Sequence, residues 1–196
     1  QQVSSAASDV YKRQIINAGD VSNNGFEFEL GYGSSAESKL QYAVNFNFTT
    51  LNNQVLNTPE GIDYLPGAYF SVGGSVATRF EEGFPIGYFH GFQTNGIFQT
   101  QQQIDDSPVF QDGAQPGDLI FVDQNGDGEI NFNDDSDKTQ LGSPIPDFTM
   151  GLALTLKYKG FDFSANLYAA LGQEIIRNFE RQQPYANQLD YVINRW

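Results

Sequence analysis

The sequence predicts an all-β chain of antiparallel transmembrane β-barrel strands, and three observations carry this. Apolar and polar residues alternate with a period of two over long runs, the runs reach bilayer-crossing length, and their polar faces are almost free of charge. Only 39% of the 196 residues are hydrophobic, while 20 are Gly and 14% are aromatic, which suits β-structure better than a helical bundle.

In chain order, Phe26, Phe28, Leu30 and Tyr32 alternate with Glu27, Glu29 and Gly31. After a turn from Gly33 to Ser38, Leu40, Tyr42, Val44, Phe46 and Phe48 face opposite to Gln41, Ala43, Asn45 and Asn47, so the two runs read as a hairpin. Phe148, Met150, Leu152, Leu154, Leu156 and Tyr158 then alternate with Thr149, Gly151, Ala153, Thr155 and Lys157. Across Lys159-Gly160 the pattern resumes, with Phe161, Phe163, Ala165 and Leu167 opposed to Asp162, Ser164 and Asn166, and a second hairpin follows. Between them, shorter strands that extend the wall are expected at Ala68 to Val72, Thr78 to Phe80, Ile86 to Phe92 and Leu119 to Val122.

A barrel strand needs about 9–11 residues to cross the hydrocarbon at its tilt, and soluble strands average nearer five or six. The runs ending at Phe48, Tyr158 and Ala170 meet the longer requirement. A polar face of Gly, Ala, Ser, Thr, Asn and Gln suits a wet, walled interior, and Tyr32, Tyr158 and Phe161 stand beside the turns where an aromatic girdle belongs. The competing architecture is a secreted β-sandwich, in which the same alternation buries one face against a second sheet.

Composition narrows the function. No run approaches the ~18 apolar residues of a membrane helix, so a closed barrel is the spanning option. A formal net charge of −14 excludes a nucleic-acid-binding surface, which must be basic, and the absence of Cys excludes disulfides and thiolate metal sites. Residues 1–14 show no continuity with the strand pattern and are set aside as a non-native leader, leaving 15–196 as the unit to interpret.

The loop 123–134, Asp-Gln-Asn-Gly-Asp-Gly-Glu-Ile-Asn-Phe-Asn-Asp, has oxygen donors at the spacing of a twelve-residue calcium loop. Its ligands would be Asp123, Asn125, Asp127, Glu129 through its carbonyl, Asn131 and Asp134, with Gly128 at the sharp turn and Ile130 as an inward anchor. Asp134 stands where an EF-hand has a bidentate Glu, and strand and turn flank the loop instead of paired helices. Calcium is expected to order the loop, not to take part in chemistry; the alternative is a tip of Asx-turns whose acidity serves solubility.

Elsewhere His90, the single His, lacks the partners a transition metal needs, and no Gly-x-Ser-x-Gly turn supports a nucleophile. Glu81-Glu82 and Asp105-Asp106 read as solvated charge, not as the paired acids of a glycosidase. The cluster Tyr88, Phe89, Phe92 and Phe98 is assigned to packing ahead of sugar stacking. No enzyme activity is expected.

Four segments in order carry a resemblance: Asn17-Ala18-Gly19-Asp20-Val21-Ser22-Asn23-Asn24-Gly25-Phe26-Glu27; Gly83-Phe84-Pro85-Ile86-Gly87-Tyr88-Phe89-His90-Gly91-Phe92-Gln93-Thr94-Asn95-Gly96-Ile97-Phe98; Pro116-Gly117-Asp118 with the Asp-rich loop; and Gly142-Ser143-Pro144-Ile145-Pro146-Asp147-Phe148-Thr149-Met150-Gly151. Together they resemble the SusC/RagA family of TonB-dependent outer-membrane transporters of Gram-negative bacteria. The resemblance implies that this chain is an arc of a 22-stranded barrel whose plug, TonB-gripped segment and closing strand lie outside it. It also implies import of oligosaccharides or peptides with a SusD-like surface lipoprotein and the TonB complex, in contact with outer-membrane lipid. Bacterial barrels have short periplasmic turns and long external loops, so residues 51–146 would be mainly an extracellular extension and a second external loop, with a short helix over Pro184 to Trp196, would begin after Leu171. The alternative function is a secreted, calcium-stabilised sandwich that binds carbohydrate or a protein partner.

Overall fold

A computed structural model of the chain describes residues 19–69 and 76–177. The leader 1–14, the Asn17-Ala18 start of the first motif, most of the expected strand Ala68 to Val72 and the expected helix at Pro184 to Trp196 lie outside the described residues.

Strands β1 (Asp20–Asn24), β2 (Glu27–Gly33), β3 (Leu40–Thr50), β4 (Asn52–Asn57), β5 (Tyr64–Pro66), β6 (Thr78–Glu81), β7 (Tyr88–Phe92) and β8 (Thr94–Ile97) precede the short helix α1 (Gln101–Asp105). They are followed by β9 (Leu119–Phe121), β10 (Lys138–Gly142), β11 (Phe148–Tyr158) and β12 (Phe161–Leu171). The described residues are therefore all-β apart from one turn of helix, whose Thr100 N-cap accepts the Gln103 amide.

The two expected hairpins join into one antiparallel sheet in the order β12-β11-β3-β2. β11 is paired along its whole length on both sides, from Phe148 opposite Thr50 and Leu171 to Tyr158 opposite Leu40 and Phe161. Three of these strands are 11 or so residues long, and 11 residues at ~3.4 Å each, tilted by about 45°, rise about 26 Å, close to the apolar band of a membrane barrel. Because the register carries no bulge, side-chain faces match from strand to strand. One apolar row reads Leu30, Phe46, Leu152, Leu167, and the next row on the opposite face reads Gly31, Asn45, Ala153, Asn166. The outer strands β2 and β12 each have one unpaired edge among the described residues, which do not close a barrel.

The β11–β12 turn has only two residues, and both lie in the left-handed region, Lys159 at φ 49° and Gly160 at φ 84°. Such a turn follows the strands' own twist and favours Asn-Gly, so Lys159 costs roughly 1 kcal/mol against a more permissive residue.

The internal strands differ from expectation in a definite way. Thr78–Glu81 and Tyr88–Phe92 form, but in a separate sheet ordered β10-β7-β6-β5, and Leu119–Phe121 pairs with Thr94–Ile97. What lengthens the β2–β3 ribbon is β1 paired with β4, two polar strands that alternation did not reveal. Gly25 allows the crossing between the two ribbons, because a Cβ there would stand 2.1 Å from the Thr50 carbonyl oxygen.

Among the described residues, the buried ones all lie outside the long sheet. Among the described residues Val55, Tyr88, Phe98 and Ile130 form the buried apolar core, joined by Asn53 and Asp137. In the β12-β11-β3-β2 sheet no residue is buried, and Phe161 is 82% and Tyr32 69% exposed.

Candidate functional site

Two features of the chain have functional chemistry: the two faces of the long sheet and the acidic loop. On the apolar face of the sheet, Phe28, Leu30, Tyr32, Leu40, Phe163, Leu167 and Leu171 are exposed, and among the described residues no other strand or helix packs against the sheet. Exposure of this much contiguous apolar surface is rare on a soluble monomer and marks a surface meant to be covered. The opposite face carries Asn45, Asn47, Ser164, Asn166 and the 76% exposed Tyr168, with Glu27 and Glu29 at the end joined to β1. Gly31 and Gly151 leave room for the asparagines. A Cβ at Gly31 would lie 2.8 Å from Asn45 Oδ1, and one at Gly151 would lie 2.9 Å from Asn47 Oδ1.

The acidic loop is shaped by its own side chains. Asp123 accepts the Gly126 amide at 2.7 Å on Oδ1 and the Gly128 amide at 2.8 Å on Oδ2. Both glycines have positive φ, 78° and 87°, where a side chain would be strained. Asn125 Oδ1 accepts the Asp127 amide at 2.8 Å, Asp127 Oδ1 accepts the Glu129 amide at 2.9 Å, and Asn131 Oδ1 accepts the Asn133 amide at 3.0 Å. The same turn, a side-chain oxygen accepting the amide two residues on, recurs at Asn125, Asp127 and Asn131, three of the alternate positions from which a twelve-residue calcium loop presents oxygens. Hydrogen bonds from the Gly128 and Gly126 amides hold the Asp123 carboxyl below the usual carboxylate range, so it is ionised at neutral pH.

The second half of the loop is arranged differently. Asp134 accepts the Ser136 hydroxyl at 2.6 Å and the Ser136 amide at 2.9 Å, and these two bonds depress its pKa. Its other oxygen accepts Asn131 Nδ2 at 2.7 Å. Among the described residues no three His, Cys, Asp or Glu side chains converge as a ready-made metal site. A further carboxylate beneath the loop is Asp137, fully buried, accepting the Asn131 amide at 2.8 Å and the Gln124 amide at 3.2 Å. Sequence reasoning passed over Asp137; its signal was the Asp134-Asp135-Ser136-Asp137 run, in which any of three carboxylates can close the loop.

Ile130 anchors the loop inward as expected, with its amide donating to the Phe110 carbonyl at 2.8 Å and its side chain buried. Phe132 packs with Phe92 and Phe121, the three ring centroids lying 5.3–5.4 Å apart. Asp135 then ties the loop to the neighbouring sheet through Arg79 and through Lys138 at 2.8 Å. Burial alone would raise the Asp135 pKa, but Lys138 and Arg79 hold it below the ordinary value. The Arg79 guanidinium lies 3.8 Å from the centre of the Tyr64 ring.

The other candidates have structural roles. Tyr88 and Phe98 are buried, Phe84 stacks on Tyr88 at 4.5 Å, and the Tyr88 hydroxyl donates to Glu81, so these side chains pack and offer no open stacking face. His90 stands edge-on to Tyr88 at 6.1 Å, and burial, with Arg79 nearby, lowers its pKa and keeps it neutral. Asp105 accepts the Gln101 side-chain amide, while the Asp106 amide caps the helix by donating to the Gln102 carbonyl.

No family model matches the chain. It is 30% identical over 189 residues to TonB-dependent receptor P3 of Formosa agariphila, covering 93% of this chain and 18% of that receptor. It is 28% identical over 163 residues to TonB-dependent receptor SusC of Bacteroides thetaiotaomicron, covering 83% of this chain and 15% of SusC. A solved structure of the RagAB peptide transporter matches with a TM-score of 0.55 at 17% identity, covering 80% of this chain and 16% of that one. The chain thus spans less than a fifth of the length of these curated relatives.

Proposed function

We propose that this chain, a SusC/RagA-like receptor segment whose curated relatives are TonB-dependent receptors, forms part of the wall of an outer-membrane nutrient importer. The observation that carries this reading is the long sheet, bulge-free and with β11 paired along its whole length on both sides, apolar on one side and wet on the other, with no other strand or helix packed over the apolar side among the described residues. A sandwich would bury that side under a second sheet; lipid tails cover it without one. The finer elements of the proposal are a 22-stranded barrel with a plug, import of oligosaccharides or peptides, a SusD-like surface lipoprotein as partner and TonB as the source of work. They are supported by the relatives and by the RagAB-like fold of the chain. No catalytic residue is part of the reading.

In this orientation the turns at Gly33 to Ser38 and at Lys159-Gly160 face the periplasm and residues 51–146 lie outside the cell. An epitope inserted at Asp112-Gly113 of the intact receptor should be stained on whole cells, and one inserted at Ser35 should be stained only after permeabilisation. The reverse pattern, or recovery of the receptor in the soluble fraction, refutes the proposal.

Calcium in the loop 123–134 belongs to the same proposal, with Asp123, Asn125, Asp127, the Glu129 carbonyl, Asn131 and Asp134 as ligands. The turns at Asp123, Asn125 and Asp127 support it, because their oxygens are already fixed and Asp123 is ionised. Asp134 would have to leave Ser136 and Asn131 to take part. Terbium luminescence of the receptor should rise on loading and fall in Asp123→Ala and Asp127→Ala; no change up to millimolar ion ends the calcium part alone.

A further inference from the structure

At the periplasmic end of the apolar face, Leu40, Leu156, Tyr158, Phe161 and Phe163, with Asp162 at the border, line an open crevice of about 460 Å³. The first five are apolar or aromatic and belong to three adjacent strands in register, Leu40 opposite Tyr158 and Tyr158 opposite Phe161. At the rim of the crevice the Lys159 ammonium lies 5.2 Å from the centre of the Tyr158 ring. Among the described residues no carboxylate pairs with that ammonium. Lys39, next in the chain to Leu40, adds a second positive charge at the same edge. Asp162 is the one acidic group in the crevice, and its register partner across the hairpin is Lys157.

We propose that this crevice is a binding site for an anionic phospholipid, whose acyl chain lies along Leu40, Leu156, Phe161 and Phe163 and whose phosphate is held by Lys159. The proposal rests on the reading of this face as lipid-facing and adds a headgroup preference to it. Apolar area alone would accept any acyl chain; a cation held against an aromatic ring at the membrane rim favours a negative headgroup. The turn supports the same assignment. Position 159 has a φ of 49°, where Asn or Gly fits with less strain, and the sequence has a lysine there. A side chain chosen against the backbone preference is explained by what its ammonium meets.

The test uses the intact receptor in nanodiscs of equimolar phosphatidylglycerol and phosphatidylcholine, each lipid in turn carrying a photoreactive diazirine in its acyl chain. Labelling of the Tyr158–Phe163 peptide is read by mass spectrometry in wild type, Lys159→Asn and Lys159→Arg. Asn suits the turn better than Lys, so loss of labelling in that variant is not loss of folding. The expected result is labelling by phosphatidylglycerol about fivefold above phosphatidylcholine, parity in Lys159→Asn and retention of the preference in Lys159→Arg. Equal labelling by both lipids in wild type, or a preference that survives in Lys159→Asn, overturns the site and leaves the membrane reading intact. No labelling of the peptide by either lipid overturns the membrane reading itself.

Discussion

Single residues show where sequence and structure part. Asp134 was the legible choice for the last position of the loop because counting twelve residues from Asp123 ends there. Asp137 takes the buried place because the extra residues let the chain turn back under the loop, and spacing cannot register that. Asp137→Ala leaves the Gln124 and Asn131 amides, both bound to that buried carboxylate, without acceptors, and should cost about 2–3 kcal/mol in urea unfolding of the receptor. Asp135→Asn should cost only about 1 kcal/mol, since that side chain is 41% exposed and screened. His90 gives a pH signature. Its folded pKa lies below the unfolded value of about 6.5, so the stability it contributes is complete above that pH and is lost as the pH falls toward the folded value. Asp135, also depressed, loses its contribution only further down, below about 3.9. As the pH falls below about 6.5, the protection factors of the β7 amides, corrected for the intrinsic pH dependence of exchange, should drop in wild type and not in His90→Phe.

Elements were legible in proportion to their length and amphipathicity. β11 begins and ends where alternation places it, β3 runs on from the expected Phe48 to Thr50, and β12 from the expected Ala170 to Leu171. Period two is an unambiguous signal when it persists for eleven residues and one side must be apolar. β1 and β4, Asp-Val-Ser-Asn-Asn and Asn-Asn-Gln-Val-Leu-Asn, have no such pattern. They are strands because they pair with each other and because Asn53 and Asn57 bond across to Asn23 and Asp20, a tertiary cause absent from local sequence. Gly25→Ala should break this ribbon from the wall, because the added methyl meets a backbone carbonyl that cannot move aside; a loss of about 1–3 kcal/mol is expected, with faster exchange in β1 and β4. Val55→Ala, at a side chain with no exposed surface, should cost about 2 kcal/mol with the same local signature.

At the scale of the molecule, the chain inverts the usual distribution. Among the described residues, the small sheets apart from the long one and the acidic loop hold the buried core, whereas the longest, best-paired strands have none. A sheet built this way needs a cover over its apolar side. The direct measurement is cysteine scanning along β11 in the intact receptor, in its membrane, which the Cys-free chain permits in this segment. Thr149, Gly151, Ala153, Thr155 and Lys157 positions should react with an aqueous thiol reagent, while Phe148, Met150, Leu152, Leu154, Leu156 and Tyr158 positions should resist it and take a spin label that broadens with oxygen dissolved in lipid. Protection of the second set without any lipid signal would mean that protein covers that face, and would contradict the account.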